Sequence, residues 1–303
     1  MELQTKVNIP KSSFKINPTD RLLFVGSCFA ENIGRRFVDN QFDAVVNPYG
    51  TMYNPASVGH TVERWLLSSS ECSKGNVERN SGNYSPCGGE GGSSLPMGEG
   101  GGRGLVAIFT LGTNRIYILK ETGEIVDNCM KRPQKLFREE QLSVDECVDY
   151  LSKAVGLLKE RNPEVKVIFT VSPIRYAKYG FHGSQLSKAT LLLAVDKLVS
   201  ASPESIGYFP AYEIMNDELR DYRFYQPDML HPSEQAVDYI YERFAETYFS
   251  EEANAMVAEW EPIKAALAHR PFNPDSEEHK AFLAKVTAKK EAFLAKWKCS
   301  INN

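Results

Sequence analysis

No apolar run in this 303-residue chain approaches the ~18 to 20 residues that a membrane-crossing helix needs. The first residues, Met1-Glu-Leu-Gln-Thr-Lys6, lack the basic and apolar regions of an export signal, so a cytoplasmic location is expected. An excess of one charge is missing too. The 35 Lys+Arg and 39 Asp+Glu leave a net charge of −4, which supplies no global field for nucleic acid or an anionic membrane. No internal repeat is visible. The six cysteines, at positions 28, 72, 87, 129, 147 and 299, form no C-x-x-C pair and have no histidine at zinc-finger spacing. Free thiols are therefore expected rather than a disulfide framework or a zinc site. No Gly-x-Gly-x-x-Gly turn joins a strand to a helix, and no His/Asp/Glu cluster has ligand spacing, so neither a cofactor nor a metal is expected.

What is present fits a globular α/β protein: 42% of residues are apolar and 24% charged, close to the usual values. Short apolar runs at Leu22–Val25, Asp43–Val46, Leu105–Leu111, Val165–Val171 and Ile206–Phe209 read as five strands. Between them lie stretches of helical period. Phe29, Ile33 and Phe37 share one helix face, and Cys147, Leu151, Val155 and Leu158 share another within Val144–Lys159. Further helices are expected at Leu186–Val199 and Ser233–Phe249. Strands separated by helices describe a parallel sheet covered on both faces. Ligand sites in such sheets lie at the C-terminal strand ends, here just after Val25, Val46, Leu111, Val171 and Phe209.

Two regions depart from that pattern. Eleven of the 21 glycines fall between Gly75 and Gly104, a composition that buries too little to offset its backbone entropy. It is expected to be a disordered insertion. A phosphate cradle would need a preceding strand and a Lys-Ser/Thr opening the next helix, and neither is present. From Glu251 the chain is charged and helical, broken at Arg270-Pro-Phe-Asn-Pro-Asp275. Phe282, Val286, Phe293 and Trp297 recur there at helical spacing. The expected organisation is a main domain over 1–250, holding the 75–104 insertion, and a helical extension over 251–303.

The candidate chemistry starts at Gly26-Ser27-Cys28, after the first strand. Glycine permits a tight turn there, and Ser27 stands at a helix N-terminus, where it can be a nucleophile or only an N-cap. Of the five histidines, His60, His182, His269 and His279 read as structural or solvent-facing. His231 differs. In Asp228-Met-Leu-His231-Pro232 it precedes a helix, and an Asp three residues upstream can hold the imidazole Nδ1–H while Nε2 faces a serine. Cys28 beside the serine reads as a small buried hydrophobe.

The string Gly26-Ser-Cys-Phe-Ala30 matches the motif for which the GSCFA family is named, a branch resembling SGNH/GDSL hydrolases. The resemblance continues through Asn47-Pro-x-Gly-Thr-Met-Tyr-Asn-Pro55, Thr110-Leu-Gly-Thr113, Pro163 to Arg175, Gln185-Leu-Ser-Lys-Ala-Thr190, Pro210-Ala-Tyr-Glu213, Asp221 to Tyr225 and Asp228 to Ser233. It implies a three-layer α/β/α fold, flavodoxin-like, with a five-stranded mostly parallel sheet. It also implies a serine nucleophile, Ser27, with Asp228 and His231 completing a triad. Gly50 and Asn114 map onto the family's oxyanion donors. The implied activity is hydrolysis of small acyl or O-acetyl esters of a small molecule or glycan through an acyl-serine. Transfer of the acyl group to a sugar hydroxyl and a non-catalytic carbohydrate- or protein-binding role are the alternatives. Two positions depart from the pattern: Arg115 replaces an acidic residue, and Met130 stands where the branch carries histidine after Asn128-Cys129.

Overall fold

The computed structural model describes residues 4–72, 103–129 and 132–297. Met130 and nearly all of the glycine-rich 75–104 segment lie outside these residues, as do Cys87 and Cys299. In chain order the elements are β1 (Arg21–Gly26), α1 (Cys28–Asp39), β2 (Asp43–Val46), α2 (Pro55–Cys72), β3 (Leu105–Leu111), β4 (Arg115–Leu119), β5 (Ile125–Val126), β6 (Phe137–Gln141), α3 (Val144–Arg161), β7 (Lys166–Val171), α4 (Gly180–Ala201), β8 (Ile206–Phe209), α5 (Ala211–Glu213), α6 (Glu234–Tyr248), α7 (Glu251–Leu267) and α8 (Glu277–Trp297).

Five strands form a sheet in the order β2-β1-β3-β7-β8, with every pairing parallel. Alternation of side chains along each strand divides the core. Leu23, Val25, Ala107, Phe109, Val167 and Phe169 face one layer with α2, α3 and α4. Leu22, Phe24, Val106, Ile108 and Ile168 face the other, with α1, α6, α7 and α8. Both faces are apolar, so a slip of one residue would exchange the two sets without exposing either. Register is held instead by size, as at Phe37, whose ring lies 5.0 Å from Phe24, 5.1 Å from Phe42 and 5.4 Å from Phe249. The expected inward faces of α1 and α3 are buried at every named position. A capping box between Ser143 and Glu146 fixes the start of α3.

The main sheet agrees with the expected fold class, and two differences from the sequence reading have physical causes. A second, antiparallel sheet of order β5-β4-β6 stands between β3 and α3, and its strands escaped notice because β6 reads Phe-Arg-Glu-Glu-Gln with only Phe137 buried. Helix α4 begins at Gly180, six residues before Leu186, through a Gly-Phe-His-Gly turn of low helical propensity. At the C-terminal end of the chain, α7 buries Ala253, Met256, Trp260 and Ile263 on the α1 side of the sheet. Trp260 Nε1 donates to Asp39 O at 2.7 Å. Helix α8 reaches this layer through Val286 and Phe293, the latter 5.0 Å from the Trp260 ring, whereas Phe282 stays 37% exposed.

Candidate active site

The sheet order reverses direction around β1 and β3, so their C-terminal ends open a crevice. Gly26 ends β1 against β3. A Cβ there would lie 2.4 Å from Thr110 O, so only glycine allows the approach. The next residue, Ser27, is the N-cap of α1, and its Oγ accepts from Phe29 N at 3.3 Å. The side chain therefore caps the helix from a buried position at the strand end. The hydroxyl also donates to Ser172 Oγ at 3.0 Å, from the residue that follows β7. Ser27 is 5% exposed. The segment after β2 closes over the same edge: Asn47 Oδ1 accepts from Gly26 N at 2.9 Å, and Met52 N donates to Gly26 O at 3.1 Å.

The Asp228 and His231 side chains come together as the spacing suggested. The carboxylate oxygen Oδ2 lies 2.5 Å from His231 Nδ1, while Oδ1 accepts from Leu230 N and His231 N at 2.9 and 3.0 Å. The two backbone N–H groups, His231 first, and then the imidazole hold the Asp228 carboxyl down at about 2. Use of Nδ1 by the carboxylate leaves Nε2 for other work. The loop is pinned from β7's side: Arg175 N donates to Leu230 O at 3.0 Å and Arg175 Nη1 to Met229 O at 3.1 Å. Met229 sits at φ 59. Among the described residues no hydrogen bond joins His231 to Ser27, whose hydroxyl is turned toward Ser172. The loop and the start of α1 are linked through the end of β7, where Ser172 meets the Ser27 hydroxyl and Arg175 holds Met229 and Leu230.

Gly50 and Asn114 each make a hydrogen bond within the fold. Gly50 N donates to Asn47 O at 2.9 Å, closing the turn after β2. Asn114 is buried, and its Nδ2 donates to Leu142 O at 2.7 Å while its N–H donates to Ser187 Oγ at 2.9 Å. It staples the β3–β4 turn to the entrance of α3 and to α4. Arg115 lays its guanidinium 3.6 Å above the Tyr179 ring. Burial pushes the Cys28 thiol up, which keeps it protonated and a poor nucleophile at neutral pH. His60 is more engaged than expected: its Nδ1 lies 2.6 Å from Asp127 Oδ1, and that hydrogen bond raises its pKa.

Two residues at the site were missed from the sequence, Ser172 and Lys188. Lys188 is 2% exposed and belongs to the buried stripe Ser184, Lys188, Leu191, Val195 and Leu198 of α4. Its Nζ donates to Gly112 O at 2.7 Å and to Ser172 O at 2.8 Å. The signal was available, since a lysine in phase with an apolar face must find buried acceptors. Among the described residues there is no group of three or more His, Cys, Asp or Glu side chains fit for a metal ion, and no helix is long and apolar enough to cross a membrane.

Comparison with known proteins gives a family and a set of distant likenesses. The model of the GSCFA family matches residues 21–86 and 103–244, and that of the GSCFA domain protein, C-terminal domain, matches residues 260–300. No curated protein matches the sequence. Among solved structures, a carbohydrate esterase family 3 protein from Talaromyces cellulolyticus is 11% identical with a TM-score of 0.38, covering 79% of this chain and 99% of its own. A family 3 carbohydrate esterase from Clostridium thermocellum is 12% identical with a TM-score of 0.38, covering 82% of this chain and all of its own. A short-chain dehydrogenase from Streptomyces avermitilis matches at 13% identity and a TM-score of 0.31, over 92% of this chain and 97% of its own. Likenesses at this level carry no argument about activity.

Proposed function

The chain belongs to the GSCFA family, and we propose that it is a serine carboxylic-ester hydrolase working through an acyl-serine. The observation that carries this reading is the Asp228–His231 pair, with Nδ1 engaged at 2.5 Å, on a loop tied to Arg175, just beyond the Ser172 that meets the Ser27 hydroxyl. In the proposed reaction Ser27 Oγ attacks the ester carbonyl and its proton passes to His231 Nε2. The tetrahedral intermediate then expels the alcohol, which takes the proton from the imidazolium. Water attacks the acyl-serine with His231 again as base, and Ser27 recovers its proton as the carboxylic acid leaves. Asp228 holds the tautomer and stabilises the imidazolium. Its low pKa suits it to remain ionised throughout.

In this reading negative charge develops over the N-terminus of α1, where the free N–H groups and the helix dipole favour it. A small acyl group suits Ser27, which is almost fully covered. Phe181 and Tyr222, 50% and 64% exposed, flank Arg175 beside the Asp228 loop. Their open rings suit the apolar face of a sugar as the alcohol part. A binding role without turnover is the second reading, and what favours it is the resting Ser27 hydroxyl, turned to Ser172 and away from His231. Hydrolysis of p-nitrophenyl acetate by the wild type, Ser27→Ala and His231→Ala decides between them. The esterase reading expects turnover above background that both variants lose. Equal rates in all three, with a glycan still bound, would establish the binding role instead.

A further inference from the structure

Lys188 is a buried amine with no carboxylate partner among the described residues. Its Nζ is held by two backbone carbonyls, at 2.7 Å from Gly112 O and 2.8 Å from Ser172 O. These carbonyls belong to the first residues beyond β3 and β7, where the paired register ends at Leu111 and Val171. One more cross-strand bond, Ser172 N to Leu111 O at 2.8 Å, follows that register, and Lys188 ties the next two carbonyls from within α4. The same turn of α4 holds the neighbouring loops: Ser187 Oγ meets Thr113 Oγ1 at 2.9 Å and accepts from Asn114 N, and Ser184 Oγ accepts from Tyr176 N. One of the two residues that Lys188 grips is the residue whose hydroxyl receives the Ser27 hydrogen bond at 3.0 Å.

Resting on the esterase reading, we propose that Lys188 is a positioning residue for Ser27: its amine fixes Ser172 at the end of β7, and the Ser172 hydroxyl holds Ser27 Oγ at the resting position from which the hydroxyl turns to His231. Nothing in the reaction itself needs an amine at this place, and an apolar side chain in phase with Leu191 and Val195 would fill the volume. A chain that buries a lysine there accepts an unfavourable desolvation, which pushes its pKa down to about 7. The ionisable groups that face it are the Cys28 thiol of α1, whose charge would raise its pKa, and the ring of Tyr212 in α5 at 5.7 Å. The geometry gains from that choice a two-pronged donor that reaches both strand ends, a task no apolar residue performs. A misplacement of about 1 Å at the nucleophile can cost ~10²-fold in rate.

The test uses the full chain and p-nitrophenyl acetate, with Lys188→Met, Ser172→Ala and the double variant, each scored per folded molecule by circular dichroism. We expect kcat to fall ~10- to 100-fold in each single variant with KM within ~3-fold, as for loss of an orienting group. The double variant is expected to be no worse than the poorer single one, because both act along one path. A kcat within ~3-fold of wild type in Lys188→Met, or losses that multiply in the double variant, would overturn the proposal. A lysine that only held the fold would lower the melting temperature and leave kcat and this coupling unmoved. If Lys188→Met fails to fold, Ser172→Ala decides, and an unchanged kcat there overturns the inference. Absence of turnover in the wild type would sink the esterase reading itself, an outcome distinct from normal turnover that ignores Lys188.

Discussion

Replacing Asp228 by Asn separates the carboxylate's charge from its shape. The side-chain oxygen of the introduced amide can still accept from Leu230 N and His231 N, now 2.9 and 3.0 Å from Asp228 Oδ1, so the loop keeps its turn. The other arm changes sign. Where Oδ2 now accepts from His231 Nδ1 at 2.5 Å, an amide NH2 donates, and the imidazole must present a bare Nδ1. Its proton moves to Nε2, where a base is required, and the imidazolium loses its stabilising charge. A wrong-tautomer change of this kind lowers kcat by about 10⁴-fold in a serine–histidine–aspartate site. Because Asp228 is exposed, the melting temperature is expected to move little. The assay is kcat on p-nitrophenyl acetate, with ¹⁵N shifts of His231 reporting the tautomer. A variant that keeps more than a tenth of the wild-type rate while showing protonated Nε2 would refute the reasoning, since His231 would then not be the base.

Four further outcomes follow from the geometry. Asn114→Ala is expected to cost stability of about 1–3 kcal/mol, by orphaning Leu142 O at 2.7 Å, and to leave kcat per folded molecule within a few-fold. Chemical denaturation and steady-state rates check both. Gly26→Ala, whose Cβ would meet Thr110 O at 2.4 Å, is expected to abolish soluble folded protein or activity, and a variant with normal kcat and melting temperature would contradict that contact. His60 is held above its ordinary pKa by its hydrogen bond to Asp127, so the pair stabilises the fold below the unfolded imidazole value of ~6.5 and loses that contribution as pH rises through the raised folded value. Proton NMR should find the His60 midpoint lowered in Asp127→Asn. Phe293→Ala is expected to cost about 3–5 kcal/mol, because the ring is 1% exposed and packs 5.0 Å from Trp260. A loss under 1 kcal/mol by urea melting would mean that α8 contributes little.

The main sheet was legible because its strands are nearly continuous apolar runs, seven of seven residues buried in β3, and because the α1 and α3 stripes keep strict helical phase. The small sheet was not: β6 carries the charges of Arg138, Glu139 and Glu140 and resembles a loop, and the apolar run of β4, with Ile116, Tyr117 and Ile118 buried, went unread without its partner. Asp228 and His231 were legible because a local spacing of three residues brings their side chains together without help from the rest of the chain. Gly50 and Asn114 were assigned by position in a family pattern, which does not reveal the hydrogen bonds they make to Asn47 and Leu142. Ser172 and Lys188 depend on two strand ends, 16 and 76 residues from the lysine in sequence, meeting α4 at one edge. The lysine's place in an apolar stripe announced its burial, but only the assembled sheet supplies its two carbonyls.

The central claim is a covalent acyl group on Ser27. Acid quenching of the protein within the first turnovers of p-nitrophenyl acetate, followed by protease digestion and mass spectrometry, tests it most directly. The account predicts one added acetyl group on the peptide containing Ser27, enriched in His231→Ala if deacylation slows more than acylation, and absent in Ser27→Ala. Acetyl found instead on Cys28 or Ser172, or on no residue while the wild type turns over, would contradict it.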